Sequence, residues 1–362
     1  MSLYTAIVIP LAFVSGIWIP ITLLCCSPWV QKQMLYLHWV TLWPGKWLTE
    51  PERAGFLKNQ TASFRIPTKD GERLFAWLMA PLGLYSKHAD EFIGEPSSVD
   101  ADIEQRVAFD LLRNDTDARL VVYFHGNTGT IAQGRRTEEY RMYSSGASDK
   151  MFVLAFDYRG FGQSTGTPSE SGLLNDAEAV IDWALTVACV SPDRIVLLGH
   201  SLGTAVATGI AHRYMNLDHA VQFSGLILCA AFTNTANAFS SYSIANLLPL
   251  LAPVRMIPSL QTWFGHQMCD TWETSSRLTD MARRSNKFQL MLVHAEDDMT
   301  MPWNHTEELF KSTLKAAMEG ALTDDEALDK VRVIDLGESG RQETWCSGRT
   351  RISKLIAKHG GK

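Results

Sequence analysis

From residue 119 onward, short apolar runs recur at Leu120–Phe124, Met151–Phe156, Arg194–Leu198, Gly225–Cys229, Gln289–His294 and Val331–Asp335. Amphipathic helical stretches separate most of them, for example Leu173–Cys189 and Leu202–Met215. Near-continuous apolar strands alternating with helices predict an α/β fold: a mostly parallel central sheet with helices on both faces. Upstream, Gly71–Met79 reads as a turn and a strand after a mixed stretch ending near Asp70. Tyr85–Arg119 reads as a polar excursion with a short helix near Ile103–Leu112. The apolar, proline-punctuated stretch from Phe239 to Trp272 breaks the rhythm. Lying between two predicted strands, where active-site loops grow in open sheets, it reads as a lid over an apolar pocket. The alternative is a helical excursion packed on the core.

The N-terminus carries a different pattern. No charged side chain occurs before Lys32, and the apolar run 4–26 has the length of a bilayer-crossing helix. No Lys or Arg precedes the run and no clear small-residue cleavage site follows it, which argues against a signal peptide. The expectation is a single-pass transmembrane anchor, with a buried core helix as the alternative. Trp29, Trp39, Trp43 and Trp47, with Tyr36 and His38, suit either an interfacial aromatic belt or a collar on the domain. Lys32 and Lys46 favour a cytosolic C-terminal side, whereas Asn59-Gln-Thr61, Asn114-Asp-Thr116 and Asn304-His-Thr306 favour a lumenal one, so orientation stays open. The chain thus divides into an anchor at 4–26, N-terminal strands and a polar insertion at 27–118, and a core at 119–362 with the lid at 239–272.

Composition narrows the function classes. The 362 residues include 33 Lys+Arg and 39 Asp+Glu, a net charge of −6, and 46% are hydrophobic. This is a globular chain whose mild acidity argues against a nucleic-acid binder. Six cysteines without a C-x-x-C pair give no zinc knuckle and no thioredoxin-type site. No metal or organic cofactor is expected, and oligomeric state is not legible.

The strongest chemical signal is Gly199-His200-Ser201-Leu202-Gly203, between a predicted strand and a predicted helix. This is the context of a nucleophile elbow. A serine on so sharp a turn is lifted over the sheet edge, and Gly199 and Gly203 lack side chains that would clash there. The positive end of the following helix lies beneath the serine, and the Leu202 amide can point at a developing oxyanion. His200 is expected to be a motif neighbour pointing away. Upstream, His125-Gly126-Asn127-Thr128 ends a strand where a second oxyanion donor would come from; Asn127 is the candidate, Thr128 its competitor, and His125 a structural residue. Downstream, Asp298 in His294-Ala-Glu296-Asp297-Asp298 is the candidate acid, with Asp297 and Glu296 competing and His294 stabilising the loop. The histidine is the weak link. The loop after Val331–Asp335 contains none, His305 is expected at the surface, and His359 near the C-terminus is the candidate base.

Phe124-His-Gly-Asn127, Phe156-Asp-Tyr-Arg-Gly-Phe-Gly162, Ser164-Thr-Gly-Thr-Pro-Ser169, Gly199-His-Ser-Leu-Gly-Thr204 and His294-Ala-Glu-Asp-Asp298 together resemble the α/β-hydrolase-domain-containing lipases. The chain looks similar to their membrane-anchored monoacylglycerol and lysophosphatidylserine lipases. The resemblance implies an α/β-hydrolase fold, Ser201 as nucleophile, Asp298 as acid, and an endoplasmic-reticulum membrane enzyme with a lumenal domain. Relatives of this kind carry a further histidine after the last strand; here His359-Gly-Gly-Lys362 ends the sequence. A lipid acyl-ester hydrolase is the expected function. A protein-acyl thioesterase and a non-catalytic lipid- or partner-binding protein are the alternatives.

Overall fold

Eight strands pair in the order β1-β2-β4-β3-β5-β6-β9-β10. They are β1 (Thr61–Pro67), β2 (Arg73–Met79), β3 (Arg119–Phe124), β4 (Met151–Phe156), β5 (Ile195–His200), β6 (Gly225–Cys229), β9 (Leu290–His294) and β10 (Val331–Asp335). A separate two-residue ladder joins β7 (Ser243–Ile244) to β8 (Leu248–Pro249). Pairing is antiparallel between β1, β2 and β4 and parallel from β4 to β10. This computed structural model describes residues 16, 18–41, 45–96, 102–241, 243–244, 248–249, 251–285, 287–298, 300–320, 327–329 and 331–335.

The apolar runs became strands because both faces of the sheet are covered. In β3, Leu120, Val122 and Phe124 enter one buried cluster, while Val121 and Tyr123 enter another on the opposite face. Period-two alternation thus divides one run between two cores. Helices Glu170–Asp182 and Leu202–Met215 pack residues into the first cluster, and helix Arg136–Ser145 packs Tyr140 and Tyr143 into the second.

Three boundaries differ from the sequence reading. β1 replaces the mixed stretch before Asp70: only Phe64 and Ile66 enter the first core, and Thr61, Ser63 and Arg65 dilute the apolar signal. β5 runs through Gly199 and His200, because both register against β6. The helix read as Leu173–Cys189 is Glu170–Asp182 followed by a π turn at Trp183–Val187; its first turn is capped by the Ser169 side chain, which accepts from the Gly172 amide at 3.1 Å.

Between β6 and β9, the expected lid stretch holds β7, β8 and helices Ala252–Met256 and Pro258–Gly265. Phe239, Leu251, Val254, Phe264 and Met268 form a third buried cluster with Cys25 from the N-terminal segment. Residues 18–25 are helical, and helix Pro28–Tyr36 follows. Most of the expected anchor, 4–15 and 17, lies outside the described residues. Among the described residues, no helix is long and apolar enough to cross a membrane. The aromatics beyond it divide: Tyr36 is fully buried, whereas Trp29 and Trp39 face outward.

Candidate active site

Ser201 stands between the end of β5 and helix Leu202–Met215 at φ 50° and ψ −118°. An L-residue reaches this left-handed region only under constraint. Two close approaches supply it. A Cβ on Gly203 would lie 1.9 Å from the Phe124 carbonyl oxygen, and one on Gly199 would lie 2.4 Å from the Gly203 carbonyl oxygen. Both positions therefore exclude a side chain by contact. The turn is anchored by the Ser201 amide donating to the Cys229 carbonyl at 2.9 Å and by the Thr204 hydroxyl donating to the Ser201 carbonyl at 2.6 Å.

A cavity of about 410 Å³ opens beside the serine, lined among others by Asn127, Arg135, His200, Ser201, Asp298 and Met301. The loop after β3 forms one wall. Its Thr128 amide donates to the Tyr36 carbonyl at 3.0 Å, and its Gly129 amide to the Val40 carbonyl at 2.9 Å. Thr128 is therefore engaged elsewhere, and Asn127 borders the cavity together with Ser201. The loop's carbonyls are gathered by one guanidinium. Arg136 donates to Thr130 at 2.6 Å, to Gly126 and Asn127 at 3.1 Å each, and to Thr128 at 2.8 Å. Sequence reading missed Arg136. The available signal was an Arg135-Arg136 pair at the start of a helix, where the helix dipole disfavours cations and another use for the charge must exist.

Beneath the loop, His125 is fully buried and its Nδ1 bonds the Gly126 carbonyl at 2.7 Å. The Phe156–Gly162 motif serves the same loop. Asp157 accepts from the Ile131 amide at 2.8 Å, and the Tyr158 hydroxyl donates to the His125 carbonyl at 2.9 Å. Burial pushes the Asp157 carboxyl up to about 7, and its second oxygen has no partner among the described residues.

Asp298 borders the cavity from the loop after β9. Its Oδ1 accepts from the Thr300 and Met301 amides at 2.8 and 2.9 Å, and its Oδ2 lies 3.6 Å from His294 Nε2. Burial works against the charge, but His294 and the two amides outweigh it and hold the carboxyl below its ordinary range. His294 is buried and bonded to the Thr306 hydroxyl at 2.6 Å and the Met301 carbonyl at 2.8 Å.

Two histidines differ from the sequence reading. His200 does not point away: it lines the cavity with Ser201. By period two it follows Val196 and Leu198 of the second core, the face that also carries Tyr123. Burial lowers its imidazole pKa, with Glu139 raising and Arg136 lowering it further. Glu139 was also missed; it is buried and accepts from the Tyr123 hydroxyl at 2.9 Å. His305 is not at the surface. It is buried between Thr233 and Ser241, 3.3 and 3.1 Å from their hydroxyls, because it begins the inward stripe of helix Asn304–Glu319. Burial lowers its pKa to about 4. His359 lies outside the described residues, as does the loop after β10.

Comparison with known proteins agrees with this geometry. The alpha/beta hydrolase family pattern matches residues 121–339. The lysophosphatidylserine lipase ABHD12 of Xenopus tropicalis is 28% identical over 304 residues, 83% of this chain and 70% of the relative. The Bos taurus protein of that name is 29% identical, covering 83% of this chain and 68% of its own. Among solved structures, an esterase of Pyrococcus furiosus aligns with a TM-score of 0.53 at 14% identity, covering 88% of this chain and 95% of its own. The carboxylesterase EstE1, cloned from a metagenomic library, aligns at 0.52 and 15%, covering 93% and 98%.

Proposed function

The chain belongs to the alpha/beta hydrolase family, and on that premise we propose that it hydrolyses lipid acyl esters, lysophospholipids or monoacylglycerols, through an acyl-enzyme on Ser201. The observation that carries this reading is the strained Ser201 on a strand-to-helix turn beside a cavity shared with Asn127 and Asp298. The Ser201 hydroxyl attacks the ester carbonyl as its proton passes to a histidine. The Asn127 and Leu202 amides receive the charge that collects on the carbonyl oxygen; one such donor is typically worth about 3 kcal/mol. The histidine returns the proton to the leaving alcohol, and water then attacks the acyl carbon with the same histidine as base. Asp298 orients the imidazole and stabilises it when charged. His359 is the proposed base.

Substrate class rests on two supports. Relatives aligned over 83% of the chain carry the name lysophosphatidylserine lipase. The stretch 239–272, proposed as a lid, has an apolar composition suited to an acyl chain. The uncharged run 4–26 is proposed as a single-pass anchor, with the endoplasmic reticulum as its membrane.

The test is labelling of the full chain by a fluorophosphonate probe, with Ser201→Ala as control, followed by a panel of lysophospholipids and monoacylglycerols. Labelling that vanishes in the variant, with turnover of at least one substrate class, is expected. A folded chain that neither labels nor turns over any of them would leave the non-catalytic binding reading in its place.

A further inference from the structure

We propose that Arg135 binds the headgroup oxyanion of a lysophospholipid in the cavity beside Ser201, which makes a charged-headgroup ester, and not a monoacylglycerol, the preferred substrate. This rests on the lipid-ester reading above and chooses between its two substrate classes.

An ester held at Ser201 has two arms, the acyl chain and the alcohol. The cavity beside the serine has polar walls: Asn127, Gln133, Arg135 and Thr300 line it, and Ala230 and Met301 are the aliphatic side chains among its described lining residues. Burying an acyl chain against such walls would strip water from polar groups and return no hydrogen bond. The lining therefore suits the alcohol arm, whose own polar groups can pair with it.

Charge then separates the two alcohols. Besides His200, four ionisable side chains border the cavity: Arg135, Arg136, Glu139 and Asp298. Three of them are engaged. Arg136 gathers the carbonyls of the loop after β3, Glu139 accepts from the Tyr123 hydroxyl, and Asp298 accepts from the Thr300 and Met301 amides. The fourth, Arg135, is exposed, and its side chain has no hydrogen-bond or carboxylate partner among the described residues. It stands at the start of helix Arg136–Ser145, where the helix dipole disfavours a cation. The loop accounts for Arg136 but leaves Arg135 without a use. Gly134, immediately before it, adopts φ 59°, a conformation that favours glycine, so the turn presenting Arg135 is written into the sequence. A free guanidinium at the edge of a reaction cavity offers a planar fork that matches the oxygens of a phosphate or a carboxylate. A monoacylglycerol carries neither. Lysophosphatidylcholine carries the phosphate alone, and lysophosphatidylserine carries both.

The experiment measures the full chain in mixed micelles against these three substrates, each with the same acyl chain. Arg135→Gln should lower kcat/KM for a lysophospholipid, relative to the monoacylglycerol, about 10-fold, chiefly through KM, because the headgroup is held alike in the bound substrate and the transition state. Arg135→Glu should lower it further, and Arg135→Lys less. A loss on both lysophospholipids assigns the phosphate as the bound group; a loss on lysophosphatidylserine alone assigns the carboxylate. No loss in Arg135→Gln, or an equal loss on all three substrates, overturns the proposal, the latter because it would mark a structural role. A parent that favours the monoacylglycerol overturns the substrate preference. A second readout needs no turnover: ether analogues of the same lipids, which cannot be hydrolysed, are tested for protection of Ser201 against a fluorophosphonate. Protection by the lysophospholipid analogues should weaken in Arg135→Gln by a similar factor, and protection by the monoalkylglycerol far less. Absent turnover of all three esters overturns the lipid-ester reading, and the protection assay then decides the Arg135 site by itself.

Discussion

Gly199 is constrained inside the five-residue turn, by the Gly203 carbonyl, whereas Gly203 is constrained by the Phe124 carbonyl of β3, a contact that only the motif as a whole made legible. Histidines were harder. Whether His200 faces the cavity depends on the sheet face that β5 turns toward helix Arg136–Ser145, and whether His305 is buried depends on what covers helix Asn304–Glu319. Both are settled by partners far along the chain. The base is accordingly the residue to test first. His359→Ala should slow fluorophosphonate labelling about 1,000-fold or more, the scale on which a triad fails, while His200→Ala should change it far less. The reverse ranking would transfer the role to His200. Asp157 offers a second test. Its carboxyl rises to about 7 in the fold from an ordinary value near 3.8. A raised acid contributes stability that is fully present below the unfolded value and lost as pH climbs through the folded one. The stability advantage of the parent over Asp157→Asn should therefore shrink from pH 4 to pH 7 in urea titrations. A constant difference across that window would mean that the group does not titrate there.

Elements were legible where burial made them uniform. The parallel strands β3 to β6 and β9 were read within a few residues because their runs are apolar on both faces. β1 was not, because its apolar positions are diluted by Thr61, Ser63 and Arg65. The loop after β3 was placed correctly, but its support was invisible, since Arg136 reaches back by six to ten residues. A guanidinium that gathers several carbonyls stiffens the loop and turns its amides the other way. Arg136→Gln should thus lower kcat about 10- to 100-fold with little change in KM, the mark of an interaction made with the transition state and not the bound substrate. Arg136→Lys, which keeps charge but not the planar fork, should recover only part of it. A change confined to KM would instead place Arg136 in ground-state binding.

At the scale of the molecule, helix Pro28–Tyr36 is part of the body. Tyr36 is fully buried, its hydroxyl donates to Asp270 at 2.7 Å, and the Trp272 indole donates to that hydroxyl at 3.3 Å. Gln31 bridges the same two regions, donating to the Gln267 carbonyl at 2.9 Å and accepting from the Cys269 amide at 3.0 Å. Tyr36→Ala should cost about 3–5 kcal/mol in denaturant melts. It should also slow probe labelling, because the Tyr36 carbonyl holds the Thr128 amide. Tyr36→Phe, which keeps the ring, should cost about 1–3 kcal/mol and leave labelling close to the parent. Equal loss of labelling in both would sever the link between this tyrosine's packing and the loop.

The Tyr36 and Val40 carbonyls stitch the start of the chain to the turn beside the serine by two hydrogen bonds. A protease that clipped the backbone between Leu37 and Val40 would leave every strand in place, yet unfasten that turn on one side. Inactivation by such a nick would run ahead of melting, giving the enzyme an off state reached by scission instead of unfolding.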